Sequence, residues 1–490
     1  MDQQRHEELE VAIVGSGFSG IAMGVQLQRA GIERFRIFEK AHDVGGTWRE
    51  NTYPGAACDI PSHLYSFSFA PNARWTRSYS RQPEILEYLR ATAREHGLYP
   101  HITFGAEIDD ARWDTTTGTW TIRAKSGETV RARSLVLGCG GLHIPQYPSI
   151  EGRDSFAGPS WHSATWRHDV DLRGKRVAVI GTGASAIQLV PQIAKDVARL
   201  HVFQRTPPWI VPKADRAIPP RVRELFARSP ALMRAHRALL YWQHEARAVG
   251  FVMEPRIMEL AALLAKRYLE HCVPDPVLRA KLTPKYVMGC KRVLPSNDYY
   301  PALRRSNVEL VTEGIASIEP NGVRTSDGAL REVDAIVYGT GFAVAEYLSP
   351  ITIVGSEGQR LNDVWRDTAP EAYLGITVSG FPNLYLLMGP NTGLGHNSMV
   401  FMIESQARYA RQCIEVLRDK RLRALDVRPS VQSAFNRTLE EKLRHTVWSA
   451  GCQSWYLAAG DGKNALTWPG FTFDYWRRTR RVDLGDFSAT

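Results

Sequence analysis

The 490-residue sequence lacks paired cysteines, long apolar runs and low-complexity segments. Its six cysteines stand singly at positions 58, 139, 272, 290, 413 and 452, without the C-x-x-C spacing of zinc sites or redox pairs. No run approaches the roughly 20 apolar residues that span a bilayer. The first ten residues, MDQQRHEELE, carry charges where a signal peptide needs an apolar core. These absences predict a cytoplasmic chain with no metal centre, no disulfide framework and no transmembrane segment.

The composition indicates a globular chain with an excess of positive charge. Hydrophobic residues make up 44% of the 490 positions, so two or three domains with proper cores are expected. The formal net charge of +10 fits nucleic acid, an anionic membrane or a small polyanionic ligand. Basic residues are scattered except near the C-terminus, where they form a cluster: Arg477, Arg478, Arg480 and Arg481 beside Tyr475 and Trp476. We interpret this basic cluster either as a solvated surface or as a contact with a membrane or partner.

The first chemical motif follows an apolar run at 11–14. It reads G-S-G-F-S-G and places Gly15, Gly17 and Gly20 at the spacing of a dinucleotide fingerprint, with a helical apolar pattern after it. Gly15 would make the tight turn, Gly17 would leave room for a pyrophosphate, and Gly20 would let the helix approach the strand. A second apolar strand ends at Glu39, 24 positions after the first glycine, where a carboxylate can accept both ribose hydroxyls. The pattern predicts a dinucleotide site.

A glycine and aromatic segment, G-G-T-W-R-E-N-T-Y-P-G-A-A-C-D, occupies positions 45–59. Its place after Glu39 favours a loop that covers the cofactor, with Trp48 on the ring system and Asp59 delivered beside it. A plain loop with a buried tryptophan is the alternative. The remaining cofactor contacts predicted for this site are Phe18, Gly46, Thr47 and Tyr65.

The opening pattern repeats after the apolar strand 176–180. The second motif consists of Gly181, Thr182, Gly183, Ala184, Ser185 and Ala186, with alanine as an accepted substitute for the third glycine. The residue 24 positions after Gly181 is Arg205, where the first unit has an acid. A guanidinium pairs with a 2′-phosphate, so this site should prefer NADP over NAD. The alternative is that Arg205 is a solvated residue at a strand end.

Two nucleotide sites in one chain predict an α/β fold with two Rossmann-like dinucleotide-binding domains. We expect 1–152 and 338–490 to bind FAD and 153–337 to bind NADPH, with a mostly helical insertion at about 214–284. A glycine-rich loop at 389–398 precedes another helix, whose positive end suits the pyrimidine edge of a reduced flavin. Hydride would pass from NADPH to flavin. Without a paired redox cysteine motif, the electron acceptor is O2 or another small molecule.

Two further stretches resemble a known family, the Baeyer–Villiger monooxygenases among the class B flavin monooxygenases. Residues 156–166 match F-x-G-x-x-x-H-x-x-x-W, and Trp166 separates the chain from the N- and S-oxygenases, which carry Tyr or Phe there. Position 167 is Arg where the family usually has Pro or Asp. Residues 45–59 match G-G-x-W-x-x-x-x-Y-P-G-x-x-x-D, and Gly339 replaces the alanine common before Thr-Gly. The resemblance covers nearly the whole chain.

The resemblance also implies the catalytic residues. A K-R pair before an acidic-Tyr-Tyr segment is present as Lys291 and Arg292. By this resemblance Lys291 joins Arg205 and Thr206 around the NADPH phosphate. Arg292 also contacts the cofactor and stabilises a negative flavin C4a-peroxide, with Asp59 orienting its guanidinium. The alternative is that Lys291 and Arg292 are surface charges.

The predicted function is therefore an FAD-containing, NADPH-dependent Baeyer–Villiger monooxygenase that uses O2 to convert a ketone into an ester or lactone. One alternative is a flavin monooxygenase that oxygenates N or S atoms, and another is a flavin redox sensor or interaction protein without turnover. We expect no nucleic-acid partner and leave peripheral membrane contact open. The sequence supports no prediction of the oligomeric state. His162 is expected to position the two domains. Three tryptophans either line the substrate cavity or pack in the core: Trp448, Trp455 and Trp468.

Overall fold

The structure is a computed structural model that describes residues 8–254, 256–451 and 463–490. The first segment of the chain contains strands β1 Glu8–Val14, β2 Phe35–Glu39, β3 Ile102–Phe104, β4 Ile108–Asp114, β5 Thr119–Ala124 and β6 Thr129–Leu137, and helices α1 Phe18–Arg29, α2 Thr47–Glu50 and α3 Gln82–Glu95.

The middle segment contains the largest number of elements. Its strands are β7 Ser160–His162, β8 Arg176–Ile180, β9 Arg199–Phe203, β10 Ile210–Val211, β11 Leu294–Pro295, β12 Val308–Val311, β13 Ile315–Glu319, β14 Gly322–Thr325, β15 Leu330–Glu332 and β16 Ala335–Tyr338. Its helices are α4 Ala184–Ile193, α5 Pro220–Arg228, α6 Pro230–Ala248, α7 Ile257–Cys272, α8 Pro276–Leu282 and α9 Tyr299–Leu303, with a π-helical turn, Val249–Met253, after α6.

The last segment completes the chain with strands β17 Thr352–Val354, β18 Leu384–Leu386, β19 Leu425–Val427 and β20 Phe487–Ala489, and helices α10 Leu361–Thr368, α11 Met399–Asp419, α12 Pro429–Arg444 and α13 Thr472–Arg478. Short 3₁₀ turns lie at Tyr99–His101, Arg153–Ser155, Ser163–Thr165, Val344–Glu346, Val447–Ser449 and Leu484–Asp486.

Two sheets organise these elements. The outer segments share a mixed sheet in the order β17-β4-β5-β6-β1-β2-β3, and β18 pairs with β6. The middle segment builds a parallel sheet in the order β12-β9-β8-β16-β7. Because both faces of each parallel region are covered, the strand residues 11–14 and 177–180 are all buried. The predicted α/β fold with two Rossmann-like units is confirmed.

The predicted helical insertion is also confirmed, as helices α5 to α8. A two-residue parallel ladder between β10 and β11 joins its two ends, with Ile210 opposite Leu294. The beginning of the insertion pairs with the first segment, where the Ser78 N–H donates to the Arg216 carbonyl at 2.9 Å. The insertion is therefore tied to both nucleotide units. Among the described residues, no helix is long and apolar enough to cross a membrane.

Candidate active site

The first glycine turn has the close contacts that its motif predicts. Gly15 has a φ of +96°, and a Cβ there would lie 2.8 Å from the Gly138 carbonyl oxygen. A Cβ on Gly20 would lie 1.9 Å from the Gly15 oxygen, so only glycine lets α1 approach β1 this closely. No side chain caps α1 at Gly17, which leaves its first N–H groups directed at the space where a pyrophosphate would bind. A Cβ on Gly46 would lie 3.1 Å from the Gly17 Cα, so the 45–59 loop lies against this turn.

Glu39 is buried at the end of β2 and is held by the glycine turn. Its Oε2 accepts hydrogen bonds from the Ser16 N–H at 2.9 Å and the Ser16 hydroxyl at 2.7 Å. Arg49 approaches Oε1 at 3.1 Å. Burial by itself would raise the pKa of Glu39, but Arg49 and the hydrogen bonds from Ala41 and Ser16 outweigh it and lower the pKa. Sequence reasoning missed Arg49, which stands beside Trp48 in the matched motif.

Three predicted cofactor residues come together as an aromatic group beside α1. The Trp48 Nε1–H donates to the Tyr65 hydroxyl at 3.1 Å. The Tyr65 ring meets the Phe18 ring edge-on with centroids 5.1 Å apart. Thr47 and Trp48 belong to α2, which directly follows Gly46. The loop at 45–59 therefore lies against the first glycine turn, and its covering of a bound cofactor stays a prediction.

The second glycine turn repeats this geometry in the middle sheet. Gly181 has a φ of +111°, and a Cβ there would lie 2.4 Å from the Gly339 oxygen. A Cβ on Gly339 would lie 3.2 Å from the Cβ of buried Ala186. The glycine at 339 thus makes room for the alanine at the motif's third position. Gly183 precedes α4 without a side-chain cap, so this helix end can also receive phosphates.

The predicted 2′-phosphate residues lie beside that turn. The Thr182 hydroxyl donates to the Thr206 carbonyl at 3.1 Å, which holds the segment after β9 against the glycine turn. Arg205 is exposed, and Lys291 lies with its Nζ 5.1 Å from the centre of the Tyr286 ring. Burial lowers the pKa of Lys291, and the positive charge of Arg205 lowers it further. Two neighbouring cations are the arrangement that a phosphate dianion relieves.

The loop at 45–59 also bridges the two nucleotide units. Tyr53 donates its hydroxyl hydrogen to Gln188 Oε1 at 2.9 Å, and Gln188 Nε2 donates to the Ala57 carbonyl at 2.9 Å. A Cβ on Gly55, which has a φ of +85°, would lie 2.6 Å from the Gln188 carbonyl oxygen. Since Gln188 belongs to α4, the loop over the first turn rests on the helix of the second turn. Sequence reasoning missed Gln188, whose position on a helical motif gives no sign of this partner.

Asp59 and Arg292 form an ion pair although 233 positions separate them. The guanidinium donates Nε–H to Asp59 Oδ2 at 2.7 Å, and Nη2 lies 2.6 Å from the same oxygen. Nη1 donates to the Leu394 carbonyl at 3.4 Å, in the glycine-rich loop 389–398. The side chains are 28% and 24% exposed for Arg292 and Asp59, so the pair is sheltered and still open to a ligand. The structure therefore brings together the two residues predicted to be catalytic.

A second cation lies next to this pair. Lys213 Nζ donates to the Cys58 carbonyl at 3.0 Å and lies 5.0 Å from the centre of the Tyr79 ring. Burial lowers the pKa of Lys213, against the attraction of nearby Asp215 and Asp59. Sequence reasoning missed Lys213 because nothing in its local pattern marks it. Its effect is to attach the start of the insertion to the segment that carries Asp59.

His162 lies in the linker between the two units and is fully buried. Its Nδ1 accepts a hydrogen bond from the Ala164 N–H at 3.1 Å. The ring meets Tyr147 and Phe342 edge-on, with centroids 5.6 Å and 5.4 Å away. These two aromatic residues belong to the two chain connections between the sheets. Burial lowers the pKa of His162 to about 4, so the ring is neutral near pH 7, in keeping with the predicted positioning role.

The buried state of His162 predicts a contribution to acid sensitivity. Its pKa is about 4 in the folded chain against 6.5 ordinarily, so the unfolded chain takes up the extra proton as the pH falls from 6.5 to about 4. Stability contributed by the neutral ring is lost across that window, at about 1.4 kcal/mol per pH unit. His162→Gln should therefore lose less of its thermal midpoint than the parent between pH 7 and pH 5. If the thermal midpoints of the parent and of His162→Gln fell in parallel between pH 7 and pH 5, this prediction would be contradicted. His445→Gln, at an exposed position, is the matched control.

The tryptophans named as cavity candidates divide as follows. Trp448 and Trp468 are each 2% exposed and pack in small apolar cores, which supports core packing for both. Trp455 lies outside the described residues.

Cys290, next to Lys291, is disulfide-bonded. The cysteine spacing did not indicate this bond, because residues that pair across a fold need no short spacing.

Comparisons with known proteins agree with this geometry. A family model described as pyridine nucleotide-disulphide oxidoreductase matches residues 12–238. The chain is 47% identical over 482 residues to a Baeyer–Villiger monooxygenase of Pseudomonas aeruginosa, which covers 98% of this chain and 91% of the relative. A Baeyer–Villiger monooxygenase of Streptomyces coelicolor is 46% identical over 489 residues, with 99% and 94% covered.

Solved structures of similar proteins match over almost the whole chain. An oxidized steroid monooxygenase bound to NADP is 30% identical with a TM-score of 0.89, and covers 98% of this chain and 99% of its own. A complex of OTEMO with FAD and NADP is 26% identical with the same TM-score of 0.89, and covers 98% and 99%. The identity of 46–47% to the two bacterial Baeyer–Villiger monooxygenases, over nearly the full length of this chain, shows that the chain belongs to the Baeyer–Villiger monooxygenase family.

Proposed function

We propose that this chain is an FAD-containing, NADPH-dependent Baeyer–Villiger monooxygenase that oxidises a ketone to an ester or lactone. The overall reaction consumes one NADPH, one proton and one O2, places one oxygen atom next to the carbonyl, and releases the other as water. The observation that carries the proposal is the Asp59–Arg292 ion pair. Asp59 ends the loop that lies over the first glycine turn and rests on α4, and Arg292 directly follows Lys291 of the phosphate site.

The residues at the two turns fit the two cofactors. The first turn offers the open N-terminus of α1 for a pyrophosphate and the ionised Glu39 for ribose hydroxyls. Trp48, Tyr65 and Phe18 provide apolar surface beside it. The second turn adds Arg205 and Lys291, which suit the extra phosphate of NADPH. Bound FAD, once reduced by NADPH, supplies the electrons that activate O2.

Arg292 supplies a permanent positive charge at the reacting centre. A guanidinium stays protonated across the physiological pH range, so it remains a cation and a hydrogen-bond donor throughout that range. Asp59 binds Nε and Nη2, which fixes the plane of the group. The contact of Nη1 with the Leu394 carbonyl is long at 3.4 Å, and an anionic oxygen is a stronger acceptor than a carbonyl. Arg292 would thus stabilise negative charge that develops on oxygen.

The reaction type is tested by supplying the holoenzyme with NADPH, O2 and a panel of cyclic and linear ketones beside a sulfide. Ester or lactone formed in proportion to the NADPH consumed supports the proposal. Sulfoxide without ester would favour the heteroatom oxygenase, and no oxygenated product from any ketone would favour a redox sensor. Neither alternative is favoured by the relatives, which are named Baeyer–Villiger monooxygenases. The panel would also identify the ketone class.

Asp59→Ala should slow ester formation by about tenfold, because Arg292 keeps its charge and loses the charged hydrogen bonds that orient it. FAD content should stay at the parental level, since Glu39 and the first glycine turn are untouched. The measurement is steady-state ester production at saturating NADPH. Asp171→Ala is the matched control, because that carboxylate pairs with Arg173 at 2.8 Å on the surface. An Asp59 variant as fast as this control would contradict the orienting role.

A further inference from the structure

The helical insertion has an unusually apolar outer surface. Of the fifteen large apolar side chains that are exposed among the described residues, ten lie between positions 225 and 277. That interval is a small part of the chain, and the sheet-bearing units expose few such residues. Monomeric proteins seldom expose concentrated apolar surface unless it binds something. The insertion therefore carries most of the exposed apolar side chains of the described residues.

Helix α6 shows this face most clearly. Its exposed positions include a stripe at alternating spacings of three and four: Leu232, Ala235, Leu239, Trp242 and Ala246. Leu239 is 56% exposed and Trp242 is 57% exposed. The opposite side of the helix is already occupied, since Glu245 and Met233 are buried there. The stripe is consequently an outward face rather than a part of the core.

The stripe continues onto α13. The Trp242 ring lies 6.2 Å from the ring of Phe473, which is 43% exposed. We call Leu232, Leu239, Trp242 and Phe473 the α6 patch. Both helices are fixed beneath it, because Glu245 of α6 accepts hydrogen bonds from the backbone N–H and the hydroxyl of Thr472 at 2.5 and 2.7 Å. The patch is a preformed surface that two elements share.

Positive charge prevails on the insertion that carries most of the α6 patch. Arg234 and Arg247 are exposed on α6, and within this helix, all of which is described, the one carboxylate is the buried Glu245. Positions 214–284 carry twelve Lys and Arg against seven Asp and Glu, a net charge of +5 and half of the chain's +10. Arg477 follows Phe473 by one helical turn with its side chain 78% exposed, although it also lies 3.6 Å from Asp474. An exposed apolar patch on a net positive insertion complements an anionic, partly apolar surface.

We propose that the α6 patch binds the surface of an anionic lipid bilayer. Leucine and phenylalanine side chains would enter the boundary between headgroups and acyl chains, where an indole ring such as that of Trp242 is also favoured. The arginines would lie at the level of the phosphates. A second copy of the chain is a poorer occupant, because a twofold contact through α6 would bring two insertions of net positive charge together. This binding goes beyond the oxidation and does not depend on it.

The test is cosedimentation of the holoenzyme with vesicles made from equal parts of phosphatidylcholine and phosphatidylglycerol, and with vesicles of phosphatidylcholine alone. The parent should bind the mixed vesicles, and added salt should weaken binding because exposed charges are screened. The double variant Leu239→Ser/Trp242→Ser should bind about tenfold more weakly or worse. Arg234→Glu should reduce binding by roughly fivefold or more. Val364→Ser removes an exposed apolar side chain from α10 and should bind like the parent.

Fold integrity is checked by FAD content and by NADPH oxidation with a water-soluble ketone in the absence of vesicles, both of which should match the parent in every variant. Failure of the parent to bind the mixed vesicles would overturn the proposal. Equal binding by the parent and the Leu239/Trp242 double variant would overturn it too. A third contrary result would be a parental dimer in sedimentation velocity that the double variant dissociates, with no vesicle binding, since a second copy would then cover the patch.

Discussion

Replacement of Arg292 by alanine is expected to leave FAD bound and to slow ester formation by about 10²–10³. FAD would be held by the first glycine turn and Glu39, which are built from residues distant in sequence from this position. Ester formation requires a fixed cation near the oxygen that gains negative charge, and Asp59 holds that cation at 2.7 Å. The expected variant is therefore a flavoprotein with impaired oxygenation.

Two measurements separate the steps that Arg292 could affect. Flavin reduction by NADPH is timed without O2, because Arg292 adjoins Lys291 of the proposed phosphate site and could slow hydride transfer as well. Reduced enzyme is then mixed rapidly with O2 and ketone in the presence of NADP, and the ester is quantified. Arg292→Lys is the matched variant, since it keeps the charge and loses the planar set of donors, and it should lie between the parent and alanine. Product at the parental rate from Arg292→Ala would mean that Lys291 or NADP itself supplies the stabilising charge.

Replacement of Arg205 by alanine is expected to weaken the binding of NADPH by about tenfold or more and to leave the binding of NADH nearly unchanged. Only NADPH has the 2′-phosphate that the exposed guanidinium would meet, and loss of one charged partner costs roughly 1.5–3 kcal/mol. The neighbouring Lys291 keeps part of the attraction, and its pKa should rise once the positive charge of Arg205 is gone. The double variant Arg205→Ala/Lys291→Ala should therefore discriminate least between the two cofactors.

Discrimination is measured as the ratio of kcat/KM for flavin reduction by NADPH to that by NADH. Arg199→Ala is a suitable control, because Arg199 lies on the same strand, β9, and pairs with Glu309 at 3.4 Å away from the glycine turn. Its ratio should equal that of the parent. An Arg205 variant in which kcat/KM falls equally for NADPH and NADH would rule out the phosphate assignment.

The local motifs were predictable because each depends on backbone constraints within a few residues. Gly15 and Gly20 are required by contacts with Gly138 and with each other, and such contacts follow from a strand, a turn and a helix in direct succession. The offset of 24 positions places both Glu39 and Arg205 at the end of the next strand for the same reason. The helical insertion was likewise evident from periodicity, because α5 to α8 repeat apolar residues at helical spacing.

Only the tertiary structure decided which distant residues meet. Arg292 could have been a surface charge, and the fold brings it to Asp59 across 233 positions because β11 pairs with β10 at the base of the insertion. Gln188 carries no chemical signature, and it joins the two nucleotide units because α4 lies under the loop at 45–59. Helical spacing likewise could not say which side of α6 faces outward. That depends on buried partners such as Thr472, far along the chain, since a side chain's surroundings are set by the elements that pack on it.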